Sequence, residues 1–428
     1  LAQLSLDEKV TLLSGGGRWV NGGVDRVRIR PLKMVDGPNG ARGDSKEVVP
    51  AVVLPAPVSL GSSWDPDLAA RVGDLLGRET LRRKAQVLLA PTVNLQRTPT
   101  GGRNFECYSE DPELISRLAV AYIVGVQGQG VAATPKHFVG NDTEFDRHNI
   151  DCHIDERTLR EVYLRPFEAA VTEADAKVVM SAYNLMNAEH CTEHHWLLRT
   201  VLRDEWGFEG VVVSDWHAVV STGPSVEGGT TVEMPGPAIH YGQKLVDAVR
   251  AGDVDESIVD GLALEVLRVA DWVSWTDPGD ESEESVDDPA DRALCREVAA
   301  AGTVLVRNTG VLPLDPGALA SVAVVGPLAD RVQIQGGGSA KLVPLPALTA
   351  LGALRERLGN GVELSHAKGV DIDKRAPVMS HGLVRADGTP GMDIEHFHGR
   401  DGAGDVVLSQ DRRTSEITWR AGVPSELD

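Results

Sequence analysis

Five short apolar segments, at residues 32–35, 87–90, 131–134, 178–182 and 211–214, alternate with longer stretches of helical periodicity. Parallel strands need a crossover long enough to hold a helix, so this alternation is the signature of βαβ units. The helix starts are marked locally. Ser5 and Glu8 form a capping-box pattern, and Asp111 followed by Pro112 opens a helix over 111–127. A further helical stretch covers 158–173. The sequence predicts an α/β domain over 1–275, with a length that fits a (β/α)8-type barrel.

The last apolar segment carries the most chemistry. Gly210 leads into Val211-Val212-Val213-Ser214, which reads as a buried parallel strand, and Asp215 and Trp216 follow at once. In a barrel of this kind the C-terminal strand ends form the active face, so a carboxylate there reads as catalytic. The plainer alternative is a capping residue. A buried carboxylate is costly without partners, and Trp216 offers an apolar wall on which a sugar ring can stack.

The segment resembles the nucleophile motif of the family 3 glycoside hydrolases. Further matches run in that family's order: Met34-Val35-Asp36-Gly37-Pro38-Asn39-Gly40-Ala41-Arg42, Gly101-Gly102-Arg103-Asn104-Phe105-Glu106, Lys136-His137-Phe138, Met180-Ser181-Ala182-Tyr183-Asn184 and Glu233-Met234-Pro235-Gly236. The resemblance implies a retaining exo-β-glycosidase, a β-glucosidase with a covalent glycosyl-Asp215 intermediate. Asp36 would accept bonds from the outer hydroxyls of the terminal sugar, with Arg42 orienting it. Arg103, Lys136 and His137 would bind the remaining hydroxyls and hold the Asp215 carboxyl ionised. Met180 and Tyr183 would pack beneath the sugar, with Trp216 stacked nearby. Singly, Asp36-Gly37-Pro38 reads equally well as a turn and Arg103 as half of a surface ion pair.

Retention needs an acid/base about 5–5.5 Å from the nucleophile. In β-glucosidases of this family it comes from a second, sandwich domain and would lie past residue 428. In the N-acetylglucosaminidase branch a barrel-loop histidine serves. Here Lys136-His137-Phe138-Val139-Gly140-Asn141-Asp142-Thr143 has Asn141 at that place, and an amide is no proton donor. The rivals are a β-xylosidase or α-arabinofuranosidase on the same scaffold, and a non-catalytic carbohydrate-binding fragment. Asp36 favours glucose, because a pentose lacks the exocyclic hydroxymethyl.

At 428 residues the chain exceeds one hydrophobic core. Residues 276–291 are acidic and read as an exposed linker, not a calcium site. An α/β sandwich is expected to begin over 292–375, with a helix at 292–301 and strands at 304–307 and 322–325. Gln335-Gly336-Gly337-Gly338-Ser339-Ala340 resembles the glycine-rich loop that family sandwiches extend over the barrel mouth. A phosphate cradle would need a following glycine-lysine-serine element. Residues 376–428, with short strands at 392–398 and 406–408, resemble the start of a PA14 module, truncated here as the sandwich is.

The remaining signals exclude partners more than they identify them. A formal charge of −21 argues against nucleic acid and anionic membranes, and no apolar run approaches the ~18 residues of a membrane span. The partner implied is a β-glucoside or oligosaccharide, with no cofactor; a homo-oligomer is compatible with it. Cys107, Cys152, Cys191 and Cys295 are too scattered for a disulfide framework and read as reduced thiols. Cytoplasmic residence is expected, with a removed signal peptide left open by the start at Leu1. The Asn141-Asp142-Thr143 sequon lies where a glycan would obstruct the site. His190-Cys191-Thr192-Glu193-His194 has inverzincin spacing, but a loop context, so no metal is expected.

Overall fold

The structure, a computed structural model, describes residues 1–44, 49–275, 282–372, 382–397 and 404–412. They pack as two units. One comprises Leu1–Leu314 with Gln333–Ala347, and the other Asp315–Val332 with the described residues from Leu348 onward.

In the first unit, helix α1 (Leu6–Leu12) begins with the reciprocal Ser5–Glu8 box. Strand β1 (Met34–Asp36) is followed by α2 (Pro66–Arg82), β2 (Val87–Leu89), α3 (Pro112–Gln127) and β3 (Ala132–Ala133). The three strands pair in parallel in the order β1-β2-β3. A second three-stranded parallel sheet joins β4 (Lys136–Phe138), β5 (Val178–Ser181) and β6 (Val211–Ser214). Isolated parallel bridges continue the pattern, Thr92 with Lys136, Val213 with Val232 and Ser14 with Glu233, and an antiparallel bridge joins Val20 to Lys33. Both faces of these strands are buried, as continuous apolar strands demand.

Where sequence and structure differ, a local cause is visible. The helix expected over 158–173 is interrupted: a π turn at Leu159–Tyr163 precedes α4 (Arg165–Thr172). Pro166 cannot donate an amide hydrogen and its ring crowds the carbonyl one turn back, which disrupts the regular ladder. A ten-residue π helix (Trp196–Glu205) then leads to β6, and two long helices, α5 (Gln243–Ala251) and α6 (Glu256–Trp272), close this part of the unit.

The linker is not simply exposed. Residues 276–281 lie outside the described set, but the Glu283 side chain is only 2% exposed. Its carboxylate takes the Lys33 ammonium at 2.9 Å and the Asp44 amide at 2.8 Å, with the Arg83 guanidinium 3.9 Å away. Helix α7 (Pro289–Ala301), capped by Asp288, starts three residues before the expected boundary and belongs to this first unit. Asp291 and Glu297 tie it to Arg78 and Arg71 of α2.

The strand expected at 304–307 does not form. Among the described residues no ladder partner lies beside it, and Val306 is 91% exposed.

In the second unit, β7 (Ser321–Val325) and β8 (Glu363–Ala367) pair in parallel around α8 (Ala350–Leu358). An antiparallel pair, β9 (Met392–Phe397) and β10 (Val406–Arg412), stands in the segment expected to be all-β. Residues 376–381, 398–403 and 413–428 of that segment lie outside the described set, and His398 of the expected strand falls there.

Candidate active site

The strand ends of the first unit bring the sequence motifs together. Asp36 closes β1, Arg103 lies in the loop after β2, Lys136 and His137 sit in β4, Tyr183 follows β5, and Asp215 and Trp216 follow β6. Asp36, Lys136, His137, Met180, Tyr183 and Asp215 are all buried. In parallel α/β folds the loops at this end of the strands build sites, because every strand delivers its next residues there.

Asp215 is held by its backbone, whose amide donates to the Ser181 carbonyl at 3.1 Å. Its carboxylate accepts the Trp216 amide at 2.7 Å, and the Tyr183 hydroxyl lies near enough to favour the ionised form. His137 Nε2 stands 3.5 Å from Oδ2. Burial pushes the Asp215 carboxyl above the ordinary carboxylate range, with Arg103, Lys136, the Trp216 amide and the Tyr183 hydroxyl opposing it. The sequence suggests the reverse direction. It names the cations correctly but not the desolvation that outweighs them.

Asp36 and Lys136 form a buried pair, Nζ to Oδ1 at 2.7 Å. Burial alone would raise the Asp36 carboxyl, but Lys136, the Ser339 hydroxyl and Arg103 together hold it below its usual range. Arg42 does not orient this carboxylate with its side chain, as expected. Its backbone amide donates to the Asp36 carbonyl at 2.8 Å, while its guanidinium bonds the Ser339 carbonyl and lies 5.3 Å from the Trp19 ring. The glycine-rich loop thus meets the site through Ser339. A side chain at Gly336 would displace the Phe105 ring, so the close approach depends on glycine.

Arg103 is gripped bidentately by Glu106, Nε to Oε1 at 3.1 Å and Nη2 to Oε2 at 2.9 Å. Its Nη1 reaches His137 Nε2 at 3.0 Å. Burial, with Arg103, Lys136 and Arg147 nearby, drops the His137 imidazole well below its ordinary range. His137 is therefore neutral, and of the three expected neighbours of Asp215 only Arg103 and Lys136 bring positive charge. Met180 is enclosed in the inner core with Met34, Val213 and Met234. Tyr183 is flanked by His148 at 4.2 Å and Arg147 at 4.4 Å. Trp216 packs on Trp19 at 5.0 Å and donates its indole N–H to the Arg18 carbonyl.

Sequence reasoning missed Trp19, Arg147, His148 and Asn94, and gave no role to Glu106 or Ser339. The signal for Glu106 was present, since an acid three residues after Arg103 lies on the same face of a tight helical turn. The metal-like spacing at 190–194 is dispersed: Glu193 bonds Ser221 and Ser225, and His194 faces Glu189. Among the described residues no three His, Cys, Asp or Glu side chains converge on a metal position, and no helix is long and apolar enough to cross a membrane.

Residues 24–269 match the glycosyl hydrolase family 3 N-terminal domain, so a parallel α/β chain with this strand-end carboxylate belongs to glycoside hydrolase family 3. A β-glucosidase of Rhizobium radiobacter is 43% identical over 431 residues, covering 100% of this chain and 52% of that protein. Among solved structures, the β-glucosidase of Kluyveromyces marxianus in complex with glucose superposes with a TM-score of 0.83 at 30% identity, covering 97% of this chain and 52% of that one. The β-glucosidase of Bifidobacterium adolescentis gives 0.80 at 35% identity, over 88% and 54%. The chain spans about half the length of the relatives it matches, 52% in the first case.

Proposed function

We propose that this chain carries the nucleophile and the sugar clamp of a retaining exo-β-glucosidase. The observation that carries this reading is the buried Asp215 carboxylate, surrounded by Tyr183, Arg103, Lys136 and the Trp216 amide beside the Asp36–Lys136 pair. The Asp215 carboxylate attacks the anomeric carbon as the bond to the aglycone oxygen breaks. Water then cleaves the glycosyl ester, returning the free carboxylate and releasing the sugar with its original configuration. The proton for the leaving oxygen comes from a group other than the donors around Asp215.

Asp36, with one oxygen on Lys136, offers its other to the outer hydroxyls, including the exocyclic one that distinguishes glucose from a pentose. Relatives described as β-glucosidases and bound to glucose support a glucosyl substrate. In this reading the two sheets are arcs of one distorted (β/α) barrel, with the bridges through 232–233, 14 and 20–33 completing the ring back to β1. The β9–β10 pair is read as the opening of a PA14-like module. Residues 1–275 are the catalytic domain, and the protein works in the cytoplasm.

A 2-deoxy-2-fluoroglucoside with a good leaving group tests the assignment. It should add the mass of one fluoroglucosyl group to the peptide containing Asp215, and Asp215→Asn should abolish both label and turnover while keeping the fold. Label on another carboxylate would remove Asp215 as nucleophile. Aryl glucosides with good leaving groups should react even where acid assistance is weak. No reaction with either class would leave a carbohydrate-binding unit, and faster turnover of aryl xylosides would reverse the sugar preference.

A further inference from the structure

We propose that Asn94 is a positioning residue for the nucleophile, whose amide locks His137 as the neutral tautomer protonated at Nδ1, so that the Nε2 lone pair anchors Arg103 beside Asp215. The proposal rests on the reading of Asp215 as nucleophile and adds how its cationic neighbour is held in place.

The amide orientation of Asn94 is fixed by two backbone groups that cannot exchange roles. Asn94 Nδ2 donates to the His137 carbonyl at 3.0 Å, and Asn94 Oδ1 accepts the His137 backbone N–H at 2.7 Å. An N–H only donates and a carbonyl only accepts, so a flipped amide would lose both bonds. The same Oδ1 lies 3.1 Å from His137 Nδ1. An acceptor oxygen at that distance requires the proton to sit on Nδ1.

The other ring nitrogen gives an independent answer that agrees. Nε2 faces Arg103 Nη1 at 3.0 Å, and a guanidinium has no acceptor. Nε2 must therefore present a lone pair. The 3.5 Å separation from Asp215 Oδ2 is then a close pass between two acceptors, with no hydrogen bond between them. Both Asn94 and His137 are buried, at 4% and 2% exposure, so water does not replace these partners.

Arg103 is thereby held at three of its nitrogens. Glu106 takes Nε and Nη2, and His137 takes one hydrogen of Nη1, leaving the second Nη1 hydrogen available. A protonated imidazole would point an N–H at the guanidinium and push it from its place. A neutral acceptor holds it without adding charge. Asn94 sets that choice because its amide, unlike a carboxylate, does not stabilise an imidazolium.

Nitrogen-15 correlation spectra of the histidine-labelled 428-residue chain, with His137 assigned by His137→Gln, read the tautomer directly. The neutral Nδ1–H pattern should persist from about pH 5 to pH 8, outside the usual histidine range of titration. In Asn94→Asp, His137 should titrate within that window, and turnover should fall selectively on the acid side. Asn94→Ala should lower kcat on the order of a hundredfold, the scale for misplacing a group near the reacting atoms, with a smaller change in KM. An Nε2–H pattern in the wild type, or an ordinary histidine titration there, would overturn the proposal, as would a folded Asn94→Asp with an unchanged pH profile. If that variant fails to fold, the wild-type spectrum still decides. Failure of Asp215 to take the fluoroglucosyl label would sink the glycosidase reading while the tautomer assignment stood.

Discussion

Lys136 Nζ lies 2.7 Å from Asp36 Oδ1, and the two side chains are 2% and 4% exposed, so each neutralises a charge that the interior would otherwise not hold. Removing one partner leaves the other buried and unpaired, which costs about 3–5 kcal/mol. Lys136→Met and Asp36→Asn should each lower stability on that scale, and the double variant should cost less than their sum. Because the Asp36 carboxyl is held below its usual range, its contribution is present above about pH 4 and is lost as pH falls through the folded value. Urea midpoints of the four proteins between pH 3 and pH 7 test this. Additive losses would mean that the pair is not coupled.

Lys136 also bears on substrate. If Asp36 and Lys136 grip sugar hydroxyls, Lys136→Ala should cost on the order of 2–4 kcal/mol in kcat/KM, the scale for one preorganised donor. That loss should shrink on glucosides lacking the gripped hydroxyl. Equal losses on glucoside and deoxyglucoside would assign the lysine to the fold alone.

Asp142 offers a second pH test. Its carboxyl is pushed up from 3.8 to about 6 by burial, with the Leu95 amide at 3.0 Å and Arg97 opposing the change. A raised carboxyl stabilises the fold fully below its unfolded value, and that stability is lost as pH rises through the folded one. The window is therefore about pH 4 to 6, and the full displacement corresponds to roughly 3 kcal/mol. Asp142→Asn keeps an acceptor for Leu95 and removes the titration. The variant should gain on wild type as pH climbs from 4 to 6 and hold that gain above. Parallel stability profiles would show that Asp142 ionises without strain.

The motif residues were legible because each stands where an apolar run stops. Asp36, Lys136 and Asp215 are polar residues at or near the ends of buried strands, and that contrast is local. Their electrostatic roles were less legible. Whether His137 donates or accepts depends on Asn94, 43 positions away, and the linker acid Glu283 finds Lys33 across 250 positions. Linear pattern identifies a group that needs a partner, but only the fold supplies the partner. The strand expected at 304–307 failed for the same reason, since an apolar β-branched run becomes a strand only beside a ladder.

Glu283 makes the linker part of the first unit. Glu283→Gln would remove the charge facing Lys33 and Arg83, and Arg83, whose side chain is fully buried, would keep the Pro50 carbonyl at 2.8 Å and Glu79 at 3.9 Å. A loss of about 1–3 kcal/mol is expected, because the buried Arg83 loses one of its two counter-charges while Lys33, 22% exposed, can turn to water. High salt should lower the wild type little, because buried pairs are poorly screened. A loss below about 0.5 kcal/mol would place Glu283 among ordinary surface acids.

Proteolysis separates docked from undocked chain. Residues 282–288 are acidic, but their backbone is tied down: the Glu284 amide donates to the Arg82 carbonyl at 3.0 Å, and Lys84 pairs with the Glu284 carboxylate. Residues 304–306 are exposed at 63%, 60% and 91%, and Val311 at 65%, without strand pairing. Cleavage requires a segment to open into an extended form, and exposed, unpaired backbone opens at least cost. A protease selective for aliphatic residues should therefore cut first at 304–314, after α7, and leave a resistant fragment that keeps Asp291 and Glu297 paired with α2. In Glu283→Gln a second cut should appear near 282–288. Early cutting of the wild type within 282–288, with 304–314 intact, would mean that Glu283 does not hold the linker down.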